Sequence, residues 1–333
     1  MAKYQLYGIG AALVDSEFVV SNSFLQQNQI EKGVMTLVDQ PRQAELIKAL
    51  KGTSASLVRK SGGSACNSIV AAASLGASSA FSGKVAEDED GQYFAQDLAE
   101  VGVAFYGQQA EVADAVTGKC LVMVTDDAER TMNTYLGASE DFTAADIDQQ
   151  VLLSSEWFYI EGYLLTDNAR AAVIQEAVTV ARDNGVKIAL SLSDPFVAQL
   201  FADNLRAVIG DGIDLIFCNK DEALAFTQTE AINHACEVLK KHSKTFAITD
   251  GANGAAVYDG NNLTLASAVP AKAVDTNGAG DMFAGAFLYA ITAGRDYIWA
   301  AELGNESAAR VVAQFGPRLE ADEFELIKQR FGL

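Results

Sequence analysis

The sequence predicts a three-layer α/β/α protein, with a mostly parallel central sheet between helices and a second, smaller β-sheet standing off from it. Three observations carry this. From Trp157 onward, apolar runs of strand length alternate with helical stretches: Trp157 to Ile160, a helix over Asp167 to Arg182, Lys187 to Leu192, a helix after Pro195, then Leu215 to Cys218. Such a βαβ rhythm lays strands parallel, puts helices on both faces and leaves ligands at the carboxyl ends of the strands. The short strand-like runs Phe18 to Ser21 and Gly33 to Val38 have helical stretches packed at one side only, which points to an inserted sheet projecting from the main body. Finally, 333 residues, 50% of them hydrophobic and 20% charged, build one sizeable core, and no internal repeat, low-complexity tract or long linker divides the chain.

Charge and cysteine content narrow the function classes. Lys and Arg number 24 against 44 Asp and Glu, a net charge of −20, so neither nucleic acid nor an anionic membrane is expected as a partner. An anionic small ligand therefore needs local backbone donors, a metal ion or a few cations. Cys66, Cys120, Cys218 and Cys236 lack C-x-x-C spacing, and only His234 and His242 occur, both on one expected helix. Reduced thiols in the cytoplasm are expected rather than a zinc site. The opening residues MAKYQLYGIG do not read as a signal peptide, and Ala65 to Phe81 is too broken by Ser, Asn and Gly to span a membrane.

In chain order, Lys3 to Gly10 reads as a core strand. Its end, Gly8-Ile9-Gly10, opens like a dinucleotide fingerprint, but Leu13 at the sixth position and the strand-like VDSEFVV that follows remove the strand-turn-helix context. Asp15 is either a turn residue or a carboxylate that accepts two hydroxyl hydrogen bonds. Asp39-Gln40-Pro41 starts a helix with Pro near its first position. Arg59 to Ser64 is an edge or loop in which Gly62-Gly63 permits close approach to the backbone, and it leads into a helix over Asn67 to Leu75. Asn67 either caps that helix or offers its amide to a ligand. Ser79 to Val85 is a strand before the acidic, solvated helix start Asp88-Glu89-Asp90. Val116 to Leu136 alternates around Asp126-Asp127 as a hairpin, and a lone hairpin Arg such as Arg130 is ordinarily solvated.

Asn219 and Glu222 stand three apart at a helix start, either as an N-cap with its N3 partner or as a pair holding magnesium through water. A strand over Lys244 to Ile248 ends at Thr249-Asp250-Gly251, and Ala255 to Tyr258 with Leu263 to Ala266 forms a hairpin. The chain then reaches Asp275-Thr276-Asn277-Gly278-Ala279-Gly280-Asp281. Met282, Phe283, Ala286, Phe287 and Ala290 recur at helical spacing, so a helix begins near Gly278 and exposes its first N–H groups as an anion site. Asp281 in that turn either caps free N–H groups or takes a proton from a hydroxyl beside a bound phosphate. A Walker A loop is missing, since Val85 follows Gly83-Lys84 and no Gly stands five residues before Gly83.

DTNGAGDMFAGAF, Asp275 to Phe287, and SGGSACNSIVAAASLG, Ser61 to Gly76, together resemble the ribokinase-like (PfkB) family of carbohydrate and nucleoside kinases, and most of the chain from Gly8 to Gly316 reads against that pattern. Gly10 to Asp15, Gly162 to Thr166 and Leu190 to Phe196 resemble its adenosine kinase branch most. The resemblance implies a ribokinase-like fold in one domain over 1–333, with a β lid drawn from about 13–39 and 103–137. It implies transfer of the ATP γ-phosphate to a primary hydroxyl, with Asp281 as base, the Gly278, Ala279 and Gly280 amides as anion hole, and Arg130 on the transferring phosphate. Asp15, Gly62, Gly63 and Asn67 would hold a ribosyl group, and Phe196 would pack on a purine unless it is helix-end core. Asn219, Thr249, Gly251 and Asn305 would border ATP, Asn219 and Glu222 would hold Mg2+ through water, and Asp275 would adjoin a monovalent cation such as K+. Adenosine or a related nucleoside therefore comes first as acceptor and ribose, fructose or a keto-deoxy sugar acid second, and the departure of Asp194 from the small residue of the adenosine branch keeps that choice open. A catalytically silent nucleoside sensor is a third reading, against which the intact Asp281 argues. Monomer and homodimer, the latter through lid edges, both stay open.

Overall fold

The computed structural model describes residues 3–52, 58–110, 115–127 and 129–333. Its main sheet has nine strands in the order Leu263–Ala266, Ala255–Tyr258, Ser243–Thr249, Ile213–Asn219, Lys187–Ser191, Ser155–Glu161, Tyr4–Ile9, Ser79–Ser82 and Ala104–Phe105. The seven from Ser243–Thr249 to Ala104–Phe105 run parallel, and the expected hairpin is added antiparallel at one edge. The chain spreads outward from Tyr4–Ile9, first to Ser79–Ser82 on one side and later to Ser155–Glu161 on the other. Such a reversal opens a crevice beyond the strand ends, where ligands bind in sheets of this kind.

Period-two alternation along the strands feeds two cores. Phe158 and Ile160 pack against residues of the helices Asn168–Asp183, Ala202–Ile209 and Ile232–Leu239, whereas Trp157 and Tyr159 pack toward Ser64–Leu75, Ala279–Thr292 and Tyr297–Val311. Three layers result. Within the second helical layer Ser64–Leu75 and Ala279–Thr292 lie close because residue 285 is Gly: a Cβ there would come within 2.2 Å of the Ser68 carbonyl oxygen. The two signature stretches are thereby brought side by side. His234 lies on Ile232–Leu239, but His242 falls beyond that helix, edge-on to the Phe226 ring, so the two do not share an element.

The second sheet has the order Met35–Leu37, Arg130–Gly137, Thr117–Val124, Leu13–Val19, Val58–Gly62. Its outer strand Val58–Gly62 comes from outside the expected lid ranges, pairing antiparallel with Leu13–Val19. Ala104–Phe105, inside those ranges, joins the main sheet instead, because Phe105 stacks against Phe81 and tilts onto Phe94. The strand-like VDSEFVV lies in a strand over Leu13–Val19, whereas the expected run Phe18 to Ser21 does not continue it, since Ser21 caps a short helix, Asn22–Gln27. One face of this sheet builds a small core of Phe18, Leu25, Leu46, Leu50, Leu121 and Met123 with the helices Asn22–Gln27 and Gln40–Lys51. The other face, with Leu13, Cys120, Val122, Met132 and Leu136, looks into a cavity of about 730 Å³ above the main sheet. Among the described residues no helix is long and apolar enough to cross a membrane.

Candidate active site

The cavity is bounded below by the start of the helix Ala279–Thr292. Gly278 turns the chain into that helix with φ +73° and lies so close to Pro317 that a Cβ would meet its carbonyl oxygen at 2.4 Å. A side chain is disfavoured there on both counts. Among the described residues no side chain caps the helix, so its first N–H groups and the positive end of its dipole are left for a ligand. Asp281 does not act as the cap. Its Oδ1 accepts from Ser64 Oγ at 2.6 Å and its Oδ2 from Asn67 Nδ2 at 3.1 Å. Asn67, four residues into its own helix, likewise serves Asp281 rather than a cap, which is Gly63.

Several carboxylates converge here with their charge opposed by burial. Burial pushes Asp15 up to about 7, with Arg318 opposing and Asp281 adding to the rise. Glu161 is also pushed up to about 7 by burial, although Ala65 N and Ala11 N donate to it at 2.8 and 3.3 Å. Asp281 is raised by burial as well, while Ser64, Asn67, Arg130 and Arg318 hold it down. Gly62 must be small, since a Cβ would fall 2.1 Å from Asp15 Cγ, and Gly63 lines the cavity beside it.

Arg130 is not a solvated hairpin residue. Its Nη1 donates to Asn277 Oδ1 at 3.2 Å, so the small sheet is tied to the loop before the helix. Asn277 N donates to Asp275 Oδ1 at 2.9 Å, Gly316 N to Asp275 Oδ2 at 3.1 Å, and Asn277 Nδ2 to Glu17 Oε1 at 3.4 Å. Glu17 is pushed up to about 8 by burial and by Asp275, and among the described residues its buried Oε2 has no partner. Across the cavity, Asn219 and Glu222 form a reciprocal cap: Glu222 N donates to Asn219 Oδ1 at 2.8 Å and Asn219 Nδ2 to Glu222 Oε1 at 2.6 Å. Both line the cavity, and burial pushes Glu222 up to about 7. Thr249 lines it too. Gly251 is exposed at the turn after Ser243–Thr249, and the Asn305 amide donates to the Ala266 and Ser267 carbonyls, bracing the edge hairpin behind the cavity instead of facing into it.

A sequence profile of the pfkB family carbohydrate kinases matches residues 37–323. The chain belongs to that family. It is a phosphotransferase acting on a hydroxyl group. It is 35% identical to an adenosine kinase of known structure from Sinorhizobium meliloti, covering 99% of this chain and 100% of that one with a TM-score of 0.91. A probable sugar kinase from Rhizobium etli CFN 42 is 32% identical, covering 99% of both chains, also with a TM-score of 0.91. The adenosine kinase of Saccharomyces cerevisiae is 28% identical over 96% of this chain and 98% of its own.

In this pfkB kinase Phe196 is not helix-end core. It is 52% exposed at the start of Pro195–Leu200, borders the cavity and meets the Phe201 ring edge-on, with centroids 5.8 Å apart. Asp194, the departure in this segment, caps that helix through Phe196 N at 2.7 Å and accepts from Tyr163 OH at 3.3 Å, which accounts for an acid at this position. Ser64, Glu161, Asn277, Glu17 and Arg318 were not singled out in the sequence. Ser64 and Asn277 lie inside the signature stretches and Glu161 at a strand end, so position gave a hint. Glu17 and Arg318 gave none, because their roles depend on partners some 260 and 250 residues away.

Proposed function

We propose that this kinase transfers the γ-phosphate of ATP to the primary hydroxyl of a ribosyl compound, adenosine or a related nucleoside, at its 5′ position. The observation that carries the reading is Asp281, held by Ser64 and Asn67 in the first turn of a helix whose N–H groups no side chain caps among the described residues. The acceptor oxygen attacks the γ-phosphorus in line with the bridging oxygen, that P–O bond breaks, ADP leaves and the hydroxyl proton passes to an Asp281 oxygen. The Gly278, Ala279 and Gly280 amides and Arg130 face the charge that spreads over the transferring group. Asp15 and Gly63, on the opposite wall, suit a pair of sugar hydroxyls, and Phe196 with the apolar face of the small sheet suits a flat base.

Asn219 and Glu222 both border the cavity where a magnesium ion held through water would sit; Asn219 Oδ1 and both Glu222 carboxylate oxygens already accept hydrogen bonds within the cap, so each would offer the ion's water its second lone pair. Bound there, the ion would neutralise charge on the β- and γ-phosphate oxygens. A potassium ion near Asp275 stands on a similar footing: both Asp275 oxygens already accept backbone N–H groups, and Glu17 Oε2, without a partner among the described residues, is a further oxygen available to a cation. Monomer and homodimer through the edges of the small sheet both stay open, and four free, buried cysteines favour the cytoplasm. The similarity to a protein described as a probable sugar kinase keeps ribose, fructose or a keto-deoxy sugar acid as the second reading.

ADP release measured over a panel of purine nucleosides, pyrimidine nucleosides and free sugars tests the proposal. Adenosine or a close analogue giving the highest kcat/KM supports it, a free sugar in that place favours the second reading, and binding of nucleosides without ADP release identifies a silent sensor.

A further inference from the structure

Arg318 is 7% exposed, just beyond the Gly316-Pro317 turn that packs against Gly278. Each of its three guanidinium nitrogens is engaged beneath the acceptor wall. Nη1 pairs with Asp97 Oδ2 at 2.9 Å, Nη2 donates to Cys66 Sγ at 3.2 Å, and Nε donates to Asn67 Oδ1 at 2.9 Å. Asp97 Oδ2 also accepts from Ser61 N at 3.1 Å and from Ser61 Oγ, which secures the strand Val58–Gly62 that delivers Gly62-Gly63.

The amide of Asn67 has one acceptor and one donor end, and a half-turn about its last bond exchanges them. A guanidinium Nε only donates, so Arg318 fixes Asn67 with Oδ1 toward itself and Nδ2 toward Asp281 Oδ2. With the amide reversed, Oδ1 would face a carboxylate oxygen, acceptor against acceptor. Resting on the kinase reading above, we propose that Arg318 is the positioning residue of the base: it orients Asn67 so that its donor faces Asp281, and it supplies a fixed buried positive charge to the carboxylates of the acceptor wall. Arg130, by contrast, comes from the small sheet and is tied to the anion loop.

The charges that act on Asp281 come from several elements. Arg130 and Arg318 stabilise its anion, and among the described residues Asp15, Glu161, Glu222 and Tyr159 are acidic groups whose charge opposes that of Asp281, from the small sheet, the main sheet and the Asn219 cap. Ser64 and Asn67 donate to it from the neighbouring helix. Removing the Arg318 charge therefore favours protonation of the base.

Because Arg318→Gln alone strands Asp97, it is compared with Arg318→Gln/Asp97→Asn and with Arg318→Lys. In the double variant the acid limb of kcat/KM for the acceptor is expected to move up by about 0.3–0.5 pH unit, a roughly two- to threefold loss on that limb, because the Arg318 charge, nearer to Asp281 through Asn67, outweighs the Asp97 charge removed with it; KM for ATP should be unchanged. Arg318→Lys is expected to restore the limb but not the plateau, since an ammonium keeps the charge without the Nε fork. An unmoved acid limb in the folded double variant, with only a lower melting temperature, would reduce Arg318 to a structural residue and overturn the proposal. Titration of the Asp281 carboxyl carbon by NMR keeps the two readings apart. If no alcohol is phosphorylated the kinase reading fails, yet a midpoint that rises in the double variant still supports the role of Arg318, and an unmoved midpoint still refutes it.

Discussion

The cavity has two walls built on different principles. On the main-sheet side, polar groups are fixed by backbone: the N–H groups opened by Gly278, Glu161 held by Ala65 and Ala11, and Glu222 locked in its cap. On the small-sheet side Leu13, Val122, Met132 and Leu136 offer an apolar surface, and Arg130 reaches from it to Asn277 in the loop before the helix Ala279–Thr292. Fixed dipoles act on charge as it develops, whereas apolar area acts on whatever is bound and tolerates changes of shape. The first wall should therefore govern kcat and the second KM and acceptor choice, with Arg130 as the exception that crosses over.

The largest effect is expected at Asp281. Asp281→Asn should lower kcat by about 10²–10⁴-fold while calorimetry shows ATP bound as before. A matching loss of nucleotide affinity would make Asp281 a binding residue and blur the contrast between the walls. Gly278→Ala should lower kcat by about 10²-fold through displaced anion-hole amides, since φ +73° and the Pro317 carbonyl both oppose a side chain. Arg130→Met should lower kcat by a comparable factor with little change in KM for the acceptor; a KM effect alone would return Arg130 to its own wall. Phe196→Ala should raise KM for purine nucleosides about three- to tenfold at unchanged kcat and leave free sugars unaffected.

The smallest effect concerns stability. Asp15 and Glu161 stand at about 7 in the folded protein against ordinary values of 3.8 and 4.5. Between those limits the folded protein binds more protons than the unfolded chain, so these groups contribute most at low pH and their contribution is lost as pH rises toward 7. Glu161→Gln removes one of them. From pH 5.5 to 8 its melting temperature should fall by about 2–4 °C less than that of the unaltered protein, and equal falls would show that Glu161 does not carry the proton.

The main-sheet wall was largely legible in the sequence because its chemistry is local. Glycines, the helix start at Gly278 and the acid three residues on lie in one stretch, and the βαβ rhythm places such stretches at strand ends. Alternatives that sequence leaves balanced were decided by contact: Asp281 is engaged by Ser64 and Asn67 rather than capping, and Phe196 faces the cavity rather than the core. The small sheet was harder to read. Val58–Gly62 joins it and Ala104–Phe105 leaves it through long-range pairing that no local pattern announces. Asn305 resembles a ligand-facing residue by position, yet its amide is spent on the Ala266 and Ser267 carbonyls.

The central claim is most directly tested by the product itself. Phosphorus NMR of the unaltered protein with ATP and adenosine should show one phosphomonoester on the 5′ carbon, formed in step with ADP. Free phosphate without an ester, or an ester at a secondary hydroxyl, would contradict a base poised over a primary alcohol at the mouth of the helix Ala279–Thr292.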